Sequence, residues 1–198
     1  MSFKTDVLAG AKDVTALLPP LITIGAVAGI AGTEAGLSPV EILGMGVLFF
    51  SPVSTITTID LLAAGAPDIV IILTALSVVV HFTILSLSIA PFFERMSTSW
   101  KWVLAYFLNT PNYALSVRRF EADTKTDIRG YYLGVVGPFW LAWQASLAAG
   151  IIFGVGIPSA WEFDFVVPLV FISLLNSMIK TWTIAVVAVV AGVVSLVG

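Results

Sequence analysis

Charge disappears from this chain in blocks of about 17 to 25 residues, the length needed to carry a helix through the hydrocarbon core of a bilayer. Walking the sequence, the blocks are Thr15–Gly32, Pro39–Ala66, Asp68–Phe93, Trp100–Val117, Gly130–Gly156, Phe163–Met178 and Trp182–Val197. Ahead of them, residues 1–13 place Phe3, Val7 and Ala11 on one helical stripe with Lys4, Asp6, Lys12 and Asp13 elsewhere, which predicts a short interfacial helix. Acidic residues in that segment and Pro19-Pro20 in the next argue against a signal peptide. The pattern predicts an all-α polytopic membrane protein, a single domain over residues 1–198 with about seven transmembrane helices.

The block Trp100–Val117 is interrupted by Asn109-Thr110-Pro111-Asn112 and reads either as a crossing helix or as a broken, re-entrant one. Loop charge arbitrates, because short cytoplasmic loops are enriched in Lys and Arg. With seven crossings and the N-terminus inside, Lys4, Lys12, Arg118, Arg119, Lys125, Arg129 and Lys180 are cytoplasmic and only Arg95 and Lys101 are outside. The expectation is therefore seven crossings in the cytoplasmic membrane, N-terminus in and C-terminus out. Seven crossings also admit two parallel repeats, residues 15–93 and 130–197, joined by the linker 100–117 in a 3+1+3 plan. At an offset of about 118, Pro20 meets Pro138 and Gly32 meets Gly150.

Composition agrees with the hydropathy. Hydrophobic residues make up 59% of the chain, charged residues 11%, and the mean hydropathy is +1.04, so a water-facing surface cannot be built. The absence of cysteine removes disulfides, thiolate nucleophiles and thiol metal sites. Nine scattered basic residues make no nucleic-acid surface. No paired carboxylate with a base, histidine cluster, nucleophile elbow or phosphate loop is present, so neither an enzyme nor a cofactor or metal site is expected.

Function must then come from what is costly inside the membrane, since a polar side chain at depth faces another helix, water or a pathway. His81 stands within Val78-Val79-Val80-His81-Phe82, far from other titratable groups, and reads as a proton carrier or as a neutral ring bonded to a neighbouring carbonyl. Ser51-Pro52 opens a stretch in which Ser51, Ser54, Thr55 and Thr58 share one face, either a proline kink patched by hydroxyls or one wall of a binding site. Asn109 and Asn112 flank a second proline break, and Trp143 and Gln144 lie deep in the fifth block. Asp60, two turns from the expected cytoplasmic end, and Asp164 are candidate coupling carboxylates beside His81. Breaks at depth present backbone N–H and C=O groups, which suit a zwitterionic ligand.

A resemblance becomes usable on particular runs: Ala35-Gly36-Leu37-Ser38-Pro39-Val40-Glu41 followed by Met45 and Phe50, then Leu61 to Pro67, then Ser86 to Pro91, and later Trp140-Leu141-Ala142-Trp143-Gln144 with Gly150 and Phe163-Asp164-Phe165 with Pro168 and Phe171. In this order they resemble the AzlC/YgaZ family, the large subunit of branched-chain amino acid exporters. The resemblance implies a secondary transporter of branched-chain or other small apolar amino acids, working with a small AzlD/YgaH-like membrane subunit. It marks a divergent member: Thr55 stands where the family has glutamine, His81 where it has arginine, and Pro111-Asn112 where it has an acidic pair. A passive pore and a non-transporting scaffold or sensor are the alternative readings.

Overall fold

The computed structural model describes residues 2–154, apart from the side chains of Val78, Val79 and His81; the expected sixth and seventh spans and Asp164 lie outside the described residues. The helices are α1 (Phe3–Val14), α2 (Leu18–Glu34), α3 (Pro39–Phe49), α4 (Pro52–Ala63), α5 (Asp68–Phe93), α6 (Thr98–Tyr106), α7 (Thr110–Ala122) and α8 (Ile128–Gly154). A 3₁₀ turn, Thr15–Leu17, joins α1 to α2 so that they form one rod, Phe3–Glu34. This rod, α5 and α8 are the three helices among the described residues that are long and apolar enough to cross a membrane.

The rod and α8 run side by side in the same direction, held by glycines that let backbone approach backbone. Gly130 and Gly134 of α8 lie against the main chain of Phe3 and Val7, Gly10 against Tyr131 and Val135, Gly29 against Leu147 and Gly150, and Gly154 against Ile30. Between membrane helices, where lipid is as apolar as protein, such close packing supplies the attraction. The N-terminal segment expected to lie in the interface is thus the first part of a long helix packed on α8. Asp6, fully buried, ties its lower turn to the α7–α8 connection by accepting the Asp127 N–H at 3.0 Å.

The other four helices are too short to cross. At 1.5 Å per residue, 9 to 13 residues span roughly 13–20 Å, about half of a 30 Å core. Helix α3 runs down α8 against its direction, with Ile42 against Gly32, Gly46 beside Trp143 and Leu147, and the Phe50 ring 6.0 Å from Phe139. Its continuation α4 then turns back. This follows from α5, which ends with Phe93 5.5 Å from Tyr132, at the start of α8. A straight 26-residue helix places Asp68 at the opposite end, and only four residues join it to α4.

Helices α6 and α7 form the complementary pair. Arg129 stacks over Trp100 at 5.9 Å, the Tyr132 hydroxyl donates to the Leu104 carbonyl at 2.9 Å, and Trp140 Nε1 donates to the Tyr106 hydroxyl at 3.4 Å, so α6 climbs alongside α8. Helix α7 descends, with Asn109 to Pro111 near Phe139 and Phe120 6.0 Å from Tyr131. Both pairs are re-entrant hairpins, one dipping in from each end of the bundle, and their tips meet halfway.

The all-α membrane bundle expected from the hydropathy is present, but the segments Pro39–Ala66 and Trp100–Val117 enter and leave at the same end. The physical reason is local. Proline after Ser51 disfavours the helical region for that residue, which is extended at φ −138, ψ 111, while Phe50 is left-handed at φ 41, and the two reverse the chain. The break is a hairpin, not a kink.

This topology also changes the charge count. Lys4, Lys12, Arg95, Lys101, Arg118, Arg119, Lys125 and Arg129, every basic residue of the sequence except Lys180, now lie in the half of the bundle where α8 begins. The opposite half, among the described residues, carries only Glu34, Glu41, Asp60 and Asp68. Arg95 and Lys101, the two exceptions under seven crossings, cease to be exceptions. Asp60, expected near the basic face, is exposed near the acidic end, because α4 returns to the side from which α3 came.

Candidate functional site at the hairpin tips

Each returning helix begins at the centre of the bundle with a side-chain cap. Ser51 Oγ accepts from the Ser54 N–H at 3.3 Å, and Asn109 Oδ1 accepts from the Asn112 N–H at 3.0 Å. Pro52 at the first position of α4 and Pro111 at the second of α7 remove donors that a helix start leaves over, which is why proline is tolerated there. Between these two helix starts lies a half-open cavity of about 500 Å³ lined by Ser51, Pro52, Val53, Asn109, Thr110 and Pro111, with Ile24, Ser77, Phe82 and Phe139 completing the lining.

The tips are clamped by aromatic rings. Phe50 stacks on Tyr106 at 6.3 Å and meets Phe107 and Phe139 edge-on at 5.9 and 6.0 Å. Polar side chains take up the carbonyls that the two incoming helices leave at their ends. Trp143 Nε1 donates to Gly46 at 3.3 Å, the Tyr106 hydroxyl to Val47 at 2.6 Å, the Tyr132 hydroxyl to Leu104 at 2.9 Å and Asn112 Nδ2 to Phe107 at 3.2 Å. Several of the carbonyls at the incoming helix ends are thus answered, while two helix N-termini lie at the cavity with the positive ends of their dipoles.

Ser51, Ser54, Thr55 and Thr58 are all buried, as their shared face requires, and they divide between the two readings of that face. Thr55 Oγ1 donates back to the Ser51 carbonyl at 3.0 Å, patching the helix start. Ser54 Oγ and Thr58 Oγ1 are buried without a partner, as are Asn109 Nδ2, Asn112 Oδ1 and Ser116 Oγ. Buried polar atoms left in this state mark places where water or a ligand belongs.

Ser51, Pro52 and Asn109 line the cavity; Ser54, Thr55, Thr58 and Asn112 stand behind it along α4 and α7. Trp143 and Gln144 lie one level away, against Gly46, where the indole anchors α3 and both amide atoms of Gln144 are buried without a partner. His81 belongs to α5, with its side chain outside the described residues. Asp60 is exposed and takes no part in the cavity. Sequence reasoning passed over Phe50, Phe139, Tyr106 and Ser116. Only Ser116 carried a usable signal: it follows Asn112 by four residues and Asn109 by seven, as Thr58 follows Ser54 and Ser51.

No curated protein and no solved structure matches the sequence. A family model does, that of the AzlC protein, over residues 16–157. That stretch runs from the 3₁₀ turn after α1 through both hairpins and all of α8. The chain belongs to the AzlC family.

Proposed function

We propose that this chain is the transporting subunit of a secondary transporter that exports branched-chain or other small apolar amino acids across the cytoplasmic membrane. Its family is associated with branched-chain amino acid transport. The observation that carries the reading is the meeting of two re-entrant hairpins around a central cavity into which two capped helix N-termini point. A carboxylate is held there by first-turn N–H groups and helix dipoles, while Ile24, Phe82 and Phe139 offer an apolar wall to an aliphatic side chain. The eight-to-none distribution of basic residues among the described ones supports a cytoplasmic location for the end where α8 starts, and for the N-terminus with it. A small AzlD/YgaH-like membrane subunit is the expected partner.

The test is leucine counterflow in proteoliposomes with and without that subunit. Wild-type protein exchanges labelled leucine in a saturable manner, and Ser54→Leu and Asn112→Leu lose exchange while remaining monodisperse. Unsaturable flux without counterflow would establish a pore instead, and absence of any flux a scaffold. Exchange undiminished in both variants would remove the site from the hairpin tips.

A further inference from the structure

The two hairpins repeat one another at a spacing of 58 residues. Phe49 corresponds to Phe107, the cap Ser51 to Asn109, Ser54 to Asn112, and Thr58 to Ser116. The correspondence is structural as well: both caps accept from the N–H three residues on, and the matched positions are buried in both helices. The crossing helices that precede them run in opposite directions, α2 toward the acidic end and α5 toward the basic end, and each hairpin dips in from the end its helix has reached. Residues 18–63 and 76–121 thus form two copies of one unit, inverted with respect to the membrane.

Five of the buried atoms that lack partners, on Ser54, Thr58, Asn109, Asn112 and Ser116, fall on these repeated positions. On α4, Ser54 Oγ and Thr58 Oγ1 lead from the cavity toward the acidic end; on α7, Asn112 Oδ1 and Ser116 Oγ lead from it toward the basic end. Packing does not account for the hydroxyls of Ser54, Thr58 and Ser116, since an apolar side chain at each would leave nothing unsatisfied, whereas Asn112 also answers the Phe107 carbonyl through Nδ2 and keeps only its Oδ1 free. All four groups are uncharged, so they offer hydrogen bonds without a fixed charge.

We infer that Ser54 with Thr58, and Asn112 with Ser116, are the outer and inner halves of one transport route whose midpoint is the Ser51/Asn109 cavity. The inference rests on the transporter reading above and adds the path to it. A neutral ladder suits a solute of zero net charge whose charged head is passed between hydroxyls and carboxamides, as a zwitterionic amino acid would be; a net ion would find no counter-charge along it.

The chain contains no cysteine, so single cysteines can be read without background. Thr58→Cys and Ser116→Cys, reconstituted in vesicles of known orientation, are exposed to a charged, membrane-impermeant methanethiosulfonate from each face, with Ala64→Cys and Thr124→Cys reporting the acidic and basic ends. Thr58→Cys reacts only from the face that reaches Ala64→Cys, Ser116→Cys only from the face that reaches Thr124→Cys, and saturating leucine slows both several-fold. Reaction of positions 58 and 116 from the same face, failure of either to react while both reporters do, or reaction indifferent to leucine each overturns the route. Thr58→Val, nearly isosteric, lowers leucine counterflow about tenfold while Thr58→Ser keeps it; equal activity of the two also refutes the assignment. If wild-type counterflow is itself absent, the function fails, and the labelling pattern still decides whether the two columns open to opposite faces.

Discussion

Phe50 is the one non-glycine residue with a positive φ among the described residues, and it sits at the tip of the α3–α4 hairpin with only 3% of its surface exposed. Two quantities oppose each other there. A left-handed backbone costs an L-residue about 1–2 kcal/mol, whereas each aromatic pair its ring makes contributes about 0.5–1.5 kcal/mol beyond area burial. With three ring partners, Tyr106, Phe107 and Phe139, the ring outweighs the strain, which is why phenylalanine rather than glycine can hold this turn. Two substitutions separate the terms. Phe50→Ala and Phe50→Gly both delete the ring, but only glycine releases the backbone. After allowance for glycine's greater freedom in the unfolded chain, Phe50→Gly is expected to be the more stable by about 1 kcal/mol. In a chain of this size that is about 2–4 °C in thermal unfolding, read by tryptophan fluorescence in detergent. Both variants fall below wild type. An alanine variant as stable as the glycine variant, or more so, would show that the tip is not left-handed and that the reversal is made elsewhere.

Two further outcomes follow from the packing and the caps. Gly134→Leu places a side chain within 2.9 Å of the Val7 backbone, which cannot swing aside, and is expected to cost roughly 1–3 kcal/mol and free the N-terminal helix to protease, whereas Gly137→Leu, with open space at that position, leaves the melting profile unchanged. Glu41 accepts hydrogen bonds from the Ser38 hydroxyl and N–H at the start of α3, and these hold its carboxyl below the usual 4.5. A lowered folded-state pKa stabilises above the ordinary value and ceases to do so as pH falls through the lowered one. The melting difference between wild type and Glu41→Gln should therefore be constant from pH 7 to about pH 5 and shrink below about pH 4.5; a difference that grows on acidification would contradict the cap.

How much of this was legible in the sequence depends on which property each signal measures. Hydropathy measures surroundings, and it marked where α2, α5 and α8 lie to within a few residues, as well as both proline breaks. Direction of travel is a different property. A 28-residue apolar block with Pro52 in its middle is equally well a kinked crossing or two half-helices folded back, since both put the same residues at the same depths. The polar face of Ser51, Ser54 and Thr58 is visible for the same reason, whereas the offset of about 118 points to a parallel repeat and hides the inverted copy at Asn109, Asn112 and Ser116. The aromatic clamp at Phe50 had no signature at all: it is assembled from three helices whose meeting is a consequence of the hairpins.

Loop charge could have chosen between the topologies had both breaks been folded back together. Reversing only Trp100–Val117 sends its basic loop to the wrong side and fits the charge rule worse than seven crossings do. Reversing Pro39–Ala66 as well restores the loop and brings Arg95 and Lys101 with it, so that no described basic residue remains at the acidic end. The two hairpins are coupled in this sense: neither is compatible with the charge distribution alone, and together they satisfy it without remainder. The same coupling bears on mechanism. A single hairpin would leave a helix N-terminus at mid-membrane with donors facing lipid, a burial cost that nothing offsets. Two hairpins inserted from opposite ends supply each other's cover, with Phe50 seated on Tyr106 and Phe107. Between them they shape the cavity lined by Ser51, Pro52, Asn109 and Pro111.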